Sequence, residues 1–154
     1  MDLASFDLRY LIATIHIITF GIGAASIWMR AAAFRKLKDE SGLNDVFFAD
    51  NVWALAAFLW LLTGLWRAFG GLEKGSEFYL HNIAFLAKMG LFILVFMLEL
   101  RPMITLIKWR SSLRKKESID LSIAPSLART SYIELLLLIP IVSLATAMAR
   151  GLFY

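Results

Sequence analysis

The chain has 154 residues, of which 60% are hydrophobic and 18% charged, and its mean hydropathy is +0.70. An average soluble domain is about 45–50% apolar and about 25% charged, so the composition excludes an ordinary soluble domain. The chain has no cysteine, which excludes disulfides, thiolate metal sites and cysteine nucleophiles. The net charge of +4 does not indicate nucleic-acid binding, because most basic residues lie in two connecting segments, a pattern that orients proteins in membranes. We therefore expect a lipid bilayer, and no nucleic acid, as the partner.

Four apolar segments predict four transmembrane helices, since each approaches the roughly 20 residues that a helix needs to cross a bilayer. The predicted spans cover residues 10–29, 47–69, 79–100 and 132–149. The expected fold class is all-α, an integral membrane four-helix bundle in which residues 1–154 form a single transmembrane domain.

The first apolar segment has an alternative interpretation as a signal peptide, which has a basic start and a short apolar run. Here the start is acidic, with Asp2 and Asp7, and the run is as long as a full span. We interpret it as a retained helix.

The connections between the spans differ in length and composition. Residues 30–45 form a charged, water-exposed segment, whereas residues 70–76 are rich in glycine and predict a tight turn. Pro102 predicts a bend or an end of the third span, because proline cannot donate the helical hydrogen bond. Residues 108–129 form the most basic stretch of the chain.

The positive-inside rule sets the expected orientation. The first and third connections carry most of the lysines and arginines, whereas the N-terminus, the second connection and the C-terminus carry few. Both termini should therefore face outward (N-out/C-out), with the two basic loops in the cytoplasm. The expected location is the bacterial inner (cytoplasmic) membrane, as a multi-pass protein.

Two ionisable side chains lie deep within the predicted spans, His16 on the first and Lys88 on the third. An ionisable group inside a span costs roughly 2.5–3.5 kcal/mol on insertion scales, so each is a candidate functional group. Each lies about 10 Å inward from the outer edge, and both helices run inward, so the two side chains should share a depth. On the third span, helical spacing forms one stripe from His81, Phe85, Lys88, Phe92, Val95 and Glu99.

A histidine flanked by small residues on a membrane helix is typical of an axial haem ligand, which makes His16 the candidate metal ligand for haem b. Three arginines gather at the outer end, where the positive-inside rule does not require them, and guanidinium groups bind carboxylates such as haem propionates. Alternatively, His16 hydrogen-bonds a neighbouring helix and the arginines extend to lipid head groups. The predicted cofactor-binding residues are His16, Lys88, Arg9, Arg67 and Arg150.

A second polar group is expected at the cytoplasmic end, and it comprises Arg30, Asp50, Asn51, Glu99, Arg101 and Glu134. The preferred interpretation is a set of ion pairs that join the helix ends. The alternative is a proton path from Glu99 to Lys88, which lies about three turns away on the same stripe.

The motifs His16-Ile17-Ile18 and Lys88-Met89, within a layout of four spans, resemble the HemJ-type protoporphyrinogen oxidases and, more distantly, CopD-like membrane proteins. Many small bacterial four-helix membrane proteins of unknown function share this layout. In the HemJ-type family the first-helix histidine ligates haem and the third-helix lysine is important for activity. The resemblance therefore implies haem binding by His16 and a catalytic role for Lys88. The tryptophan that follows the histidine in that family is absent here.

The leading hypothesis is a membrane b-type haem protein with a redox role, and whether it is an oxidoreductase enzyme is left open. The site ligand would be haem or a porphyrin, with Lys88 as second ligand, propionate partner or proton donor. One alternative is a small proton-coupled transporter, in which Lys88 changes charge and a helix is broken at midspan; Pro140 is the one hint of such a break. The other is a non-catalytic accessory subunit of a homo-oligomer or a larger membrane complex. The sequence identifies no substrate and no electron partner.

Overall fold

The computed structural model describes residues 3–72 and 76–152 of the chain. Within these ranges every regular element is helical, and four helices are long and apolar enough to cross a membrane, as the hydropathy pattern predicts. A single 3-10 turn, Glu40–Gly42, precedes the second long helix. The helices are α1 (Leu3–Lys36), α2 (Leu43–Phe69), the short α3 (Ser76–His81), α4 (Ile83–Lys115) and α5 (Ala124–Ala149).

The four long helices form an antiparallel bundle. α1 packs along both α2 and α5, and α4 packs along α5. The antiparallel register of α1 and α2 is fixed by two contacts, His16 to Thr63 near one end and Arg30 to Asp50 near the other. We call the end where α1 begins and α5 ends the terminal end, and the opposite end, which carries the long connections, the basic end.

At the basic end the helices continue beyond the predicted spans. α4 does not end at Pro102 but runs on to Lys115 with the proline inside it and buried. The sequence predicted a bend or an end of the span at this proline, and the helix does not end there. The reason is packing: the extension buries Leu106 and Trp109 in an apolar cluster, and this burial offsets the hydrogen bond that proline cannot make.

The third span begins differently from the prediction. The chain leaves helical geometry at Asn82, whose side-chain oxygen accepts a hydrogen bond from the Phe85 amide (3.0 Å) and caps the start of α4. His81 belongs to the separate helix α3, and its imidazole is 79% exposed. His81 is therefore not part of the stripe that carries Lys88, because the helical spacing is interrupted between them.

Two turns in the basic-end connections are organised by aspartates that bind the backbone locally. Asp39 accepts hydrogen bonds from the hydroxyl and the amide of Ser41, and these bonds lower the pKa of the Asp39 carboxyl. Asp120 accepts a hydrogen bond from the Ser122 amide, and hydrogen bonding to that serine lowers the pKa of its carboxyl in the same way. These side chains are exposed, so their contribution is to the turns rather than to the bundle core.

Among the described residues, buried apolar side chains form three clusters; the smallest, Ala68, Tyr79 and Phe85, lies at the terminal end, and the other two pack between the long helices. The basic-end cluster contains Phe34, Leu43, Val46, Leu106, Trp109, Ala124, Leu127 and Ala128. The middle layer, nearer the terminal end, contains Ile27, Trp53, Val95, Leu138 and Ile141. Around Trp53 the packing is tight, because a Cβ atom on Gly23 would lie 3.1 Å from the indole ring, and no space for a water molecule remains there.

Between these two apolar groups lies a buried ion cluster centred on Arg30 of α1. Its Nη1 donates to Asp50 (3.0 Å) and to Glu99 (2.6 Å), and its Nη2 donates to the second Glu99 oxygen (2.6 Å) and to Glu134 (2.9 Å). The three carboxylates come from α2, α4 and α5, so one fully buried guanidinium joins all four long helices. Ion pairing between the helices at this end, which the sequence suggested, is therefore confirmed.

The membership of the cluster differs from the prediction in two residues. Arg110, assigned from sequence to a basic loop, lies on the α4 extension and donates to Asp50 and to Asn51 (both 2.9 Å). Arg101 is exposed and does not bind these carboxylates. The difference arises because α4 continues through Pro102, which carries Arg110 back over the start of α2.

Replacing Arg30 should destabilise the whole bundle. In Arg30→Ala three carboxylates lose a shared cation in a buried site, and breaking a buried pair in this way costs about 3–5 kcal/mol. Unfolding of the purified protein by increasing mole fractions of sodium dodecyl sulfate, followed by tryptophan fluorescence, measures the loss. Arg35→Ala, on the same helix but exposed, is the control, and equal stability of the two variants would contradict the role of Arg30.

Candidate functional site

The terminal half of the bundle encloses a cavity of about 620 Å³. All four long helices and α3 contribute to its walls, which are mostly aliphatic and aromatic. The polar groups that reach it include the side chains of His16, Arg67, Lys88 and Thr146. The main apolar lining consists of Phe20, Trp60, Leu61, Leu65, Phe69, Phe78, Phe85, Met89, Phe92, Ile141 and Met148.

His16 is oriented by a hydrogen bond to α2. Its Nδ1 lies 2.9 Å from the hydroxyl oxygen of Thr63. That hydroxyl also lies 2.7 Å from the carbonyl oxygen of Leu59, to which it donates its one proton. The Thr63 oxygen is then the acceptor from His16 Nδ1–H, so the neutral form of this imidazole would carry its lone pair on Nε2. This is the tautomer that binds a metal through Nε2.

Two further residues of α2 hold the imidazole in place. Trp60 stacks on the His16 ring, with 5.7 Å between centroids and 26° between planes. Gly64 lies under the edge of the ring, where an added Cβ would come within 3.1 Å of His16 Cε1. Trp60, Thr63 and Gly64 together form one surface of α2 against which the ring fits. A larger residue at position 64 would displace the imidazole.

Lys88 lies in the second turn of α4 and faces the same cavity as His16. Its Nζ lies 5.0 Å from the centre of the Phe85 ring, a cation–π contact. The cap at Asn82 fixes where α4 begins and therefore the level at which Lys88 enters the bundle. The shared depth of His16 and Lys88, inferred from helix length alone, is matched by this common cavity.

The structure separates the predicted arginines into two groups. Arg67, near the end of α2, lines the cavity together with His16 and Lys88. Arg9 and Arg150 are exposed at the terminal end and are not among the residues that line the cavity. Three of the five predicted cofactor-binding residues are therefore brought together, and two lie outside.

Sequence reasoning missed Thr63 and Gly64, and Trp60, in the middle of the second span, carries no signal that separates a pocket wall from a lipid-facing position. These residues carry no signal individually, because threonine and glycine are ordinary in membrane helices. The available signal was their spacing: positions 60, 63 and 64 lie on one face of a helix. An antiparallel α1–α2 pair that matches Arg30 with Asp50 also brings His16 opposite Thr63.

The middle layer separates the cavity from the ion cluster. Val95 of α4 lies on the stripe between Lys88 and Glu99, and it packs in this layer with Ile27 and Leu138. The suggested proton path from Glu99 to Lys88 therefore meets an apolar barrier with no water-sized space around Trp53. Within residues 3–72 and 76–152, no group of three or more His, Asp or Glu side chains is arranged so that it could hold a metal ion.

The arrangement suits a ligand that is largely apolar and carries anionic groups. Aromatic walls contact the apolar body, and the cations of Arg67 and Lys88 bind carboxylates. α2 and α4, which flank the cavity, contact each other at the basic end through Arg110 and at the terminal half through the ring pairs Trp60–Phe92 and Phe69–Phe85. Leu61, Leu65 and Phe69 line the cavity and are 40–48% exposed.

Comparison with known proteins places the chain in a family. No curated protein and no solved structure shows a significant match. Residues 8–152, nearly the whole chain, match a family described as predicted membrane protein and designated DUF2214. The chain belongs to the DUF2214 family of predicted membrane proteins.

Proposed function

We propose that the protein binds haem b in the terminal cavity and has a redox role in the membrane. The observation that carries the proposal is the His16 imidazole, which faces an apolar cavity while Thr63 fixes its tautomer. Metal-bound histidines characteristically donate their second ring N–H to a neighbouring group, which sets the ring orientation and raises the basicity of the ligand nitrogen. His16 has this arrangement before any ligand is considered.

The size and chemistry of the cavity fit a haem-sized ligand. A volume of about 620 Å³ lies within the range of about 300–1,000 Å³ that is usual for cofactor and small-molecule sites. The walls supply aromatic faces from Phe20, Trp60 and Phe92, which already contact one another around His16. A flat apolar macrocycle would be held by stacking and dispersion contacts with these rings.

The two cations in the cavity are suited to the propionate groups. Arg67 binds a carboxylate in a bidentate fork, and Lys88 binds it as a point charge. Lys88 also faces the cavity, where it could hold a proton near the bound ligand; the HemJ-type resemblance implies that this lysine is important for activity. Arg9 and Arg150 are candidates only for groups that project beyond the cavity, because both are exposed.

The proposed setting is the bacterial inner membrane, with the basic end in the cytoplasm and both termini outside. The lysines and arginines of the connections support this orientation through the positive-inside rule. Haem would supply one-electron chemistry when bound; His16 would hold its iron, the apolar walls would surround its macrocycle, and Arg67 and Lys88 would bind its carboxylates. The oxidase activity of the HemJ-type family stays a prediction from sequence.

The transporter alternative receives less support from the helices. A helix broken at midspan would mark a carrier of this size, and Pro140 was the candidate position. α5 instead runs continuously from Ala124 to Ala149 with Pro140 inside it. The haem proposal is therefore preferred over a proton-coupled carrier.

The haem proposal predicts a Soret absorbance band in the protein purified in detergent after expression with added 5-aminolaevulinate. His16→Ala should lose most of the band, because the axial nitrogen is removed. His81→Ala is the matched control, since His81 lies on an exposed surface of α3, and it should keep the band. Absence of a band from the unaltered protein would refute haem binding, and an unchanged band in His16→Ala would refute the ligand assignment.

Gly64→Val should reduce haem occupancy without removing any ligand atom. The new side chain would collide with His16 Cε1, which a Cβ alone would approach to 3.1 Å, and would push the imidazole away from Thr63. Gly21→Val is the matched control: it adds the same side chain at a helical glycine with no heavy atom within 4 Å. The ratio of Soret absorbance to protein absorbance at purification measures occupancy, and equal ratios in the two variants would contradict the proposed fit.

Lys88→Met should weaken haem retention about tenfold or more while leaving the Soret wavelength unchanged. Losing a hydrogen bond to a charged group costs roughly 1.5–3 kcal/mol, and about 1.4 kcal/mol corresponds to a tenfold change in affinity. Transfer of haem to excess apomyoglobin measures retention. A shifted Soret wavelength with unchanged transfer would instead show that Lys88 is an iron ligand.

A further inference from the structure

The ion cluster contains more negative than positive charge. Two guanidinium groups, those of Arg30 on α1 and Arg110 on α4, face three carboxylates, those of Asp50 on α2, Glu99 on α4 and Glu134 on α5. With every group ionised, one negative charge remains uncompensated. The cluster lies between two apolar layers, where an unbalanced charge is strongly unfavourable. A bound monovalent cation would restore neutrality, and the smallest is a proton.

The three carboxylates are not equally compensated. Glu99 makes a bidentate contact with Arg30 (2.6 Å to each oxygen), and Asp50 is shared between Arg30 and Arg110. Glu134 has a single contact, from its Oε2 to Arg30 Nη2 (2.9 Å), and its Oε1 is buried with no hydrogen-bond partner among the described residues. Its side chain is also fully buried, whereas those of Glu99 and Asp50 are 15% and 11% exposed. Glu134 is therefore the carboxylate on which a proton is most stabilised.

A second buried group on α5 lies beside Glu134. Ser131 precedes it by three residues, so the two side chains share a helix face. Its hydroxyl is buried and has no partner in the described part of the chain, unlike those of Thr130, Ser143 and Thr146, which donate to the carbonyl four residues earlier. Glu134 Oε1 and the Ser131 hydroxyl are therefore two buried polar groups on one face of α5 that make no hydrogen bond to each other or to any other described residue.

We propose that Glu134 is a proton-binding site, which holds one exchangeable proton beside Glu99 and Ser131. A hydronium ion transfers its proton to Oε1 of Glu134: one O–H bond of the hydronium breaks, one O–H bond forms on the carboxyl group, water is released, and the charge of the cluster changes from −1 to zero. Protons reach it from the basic end, because Glu99, Asp50 and Arg110 are the partly exposed members of the cluster. The middle layer closes the site toward the terminal cavity, so the inference does not depend on the proposed haem site.

Infrared spectroscopy of the full-length protein in lipid bilayers tests the proposal directly. At neutral pH the carbonyl stretch of a protonated carboxylic acid should be present and should shift downward in D₂O. Glu134→Gln should lose this band, and Glu77→Gln, which alters a carboxylate that is 91% exposed, should keep it. A band that is absent from the unaltered protein, or that survives in Glu134→Gln, would overturn the proposal.

The dependence of stability on pH supplies an independent readout. If folded Glu134 holds a proton that the unfolded chain releases, the folded state binds more protons, and raising the pH must lower the midpoint of thermal unfolding. In Glu134→Gln, whose amide imitates the neutral acid, this slope should disappear while the protein stays folded. An unchanged slope in Glu134→Gln would contradict proton binding by Glu134. If Na⁺ but not choline raised the unfolding midpoint, and no carbonyl band were present, a metal ion would balance the charge instead.

Discussion

The interaction on which the bundle depends is the contact between one buried guanidinium and three carboxylates. Because Arg30 binds a carboxylate from each of the other three long helices, it fixes their rotation and their relative height at one level. Apolar contacts alone give little selectivity in a bilayer, since lipid chains are as apolar as the side chains they would replace. The hydrogen bonds from the planar guanidinium of Arg30 require fixed directions, and few other packings of the four helices would satisfy them.

The position of the cavity follows from that level. Once Arg30 is opposite Asp50, the antiparallel pairing of α1 and α2 brings His16 opposite Thr63. The middle layer then separates two environments with different chemistry. One is the apolar cavity that contains the His16 imidazole, and the other is the ion cluster, which has one more carboxylate than guanidinium groups. A single small chain thereby holds a candidate cofactor site and a candidate proton site that do not share any side chain.

Much of this could be predicted from the sequence. Hydropathy predicts four membrane helices, and the scarcity of ionisable residues within spans selects His16, Lys88 and the carboxylates around Arg30. The roles of Thr63, Gly64 and Ser131 could not be predicted from sequence, because they depend on which residues of the other helices pack against them. Pro102 predicted that α4 bends or ends there, because proline cannot donate the helical hydrogen bond. The helix continues because its extension buries Trp109. Arg110 was missed as a consequence.

The continuation of α4 past Pro102 also sets the solvent in which each end of the protein folds. A helix of 33 residues is about 50 Å long, whereas the hydrocarbon core of a bilayer is about 30 Å thick. With the predicted span 79–100 in the hydrocarbon core, the segment that carries Leu106 and Trp109 would extend beyond the lipid chains, and its apolar cluster would be stabilised by the hydrophobic effect, as in a soluble domain. The terminal half would be surrounded by lipid, where that effect is missing. One continuous helix would then connect the basic-end cluster in water to the terminal cavity in lipid. Urea should weaken the packing of the cluster, and detergent should weaken the packing around the cavity.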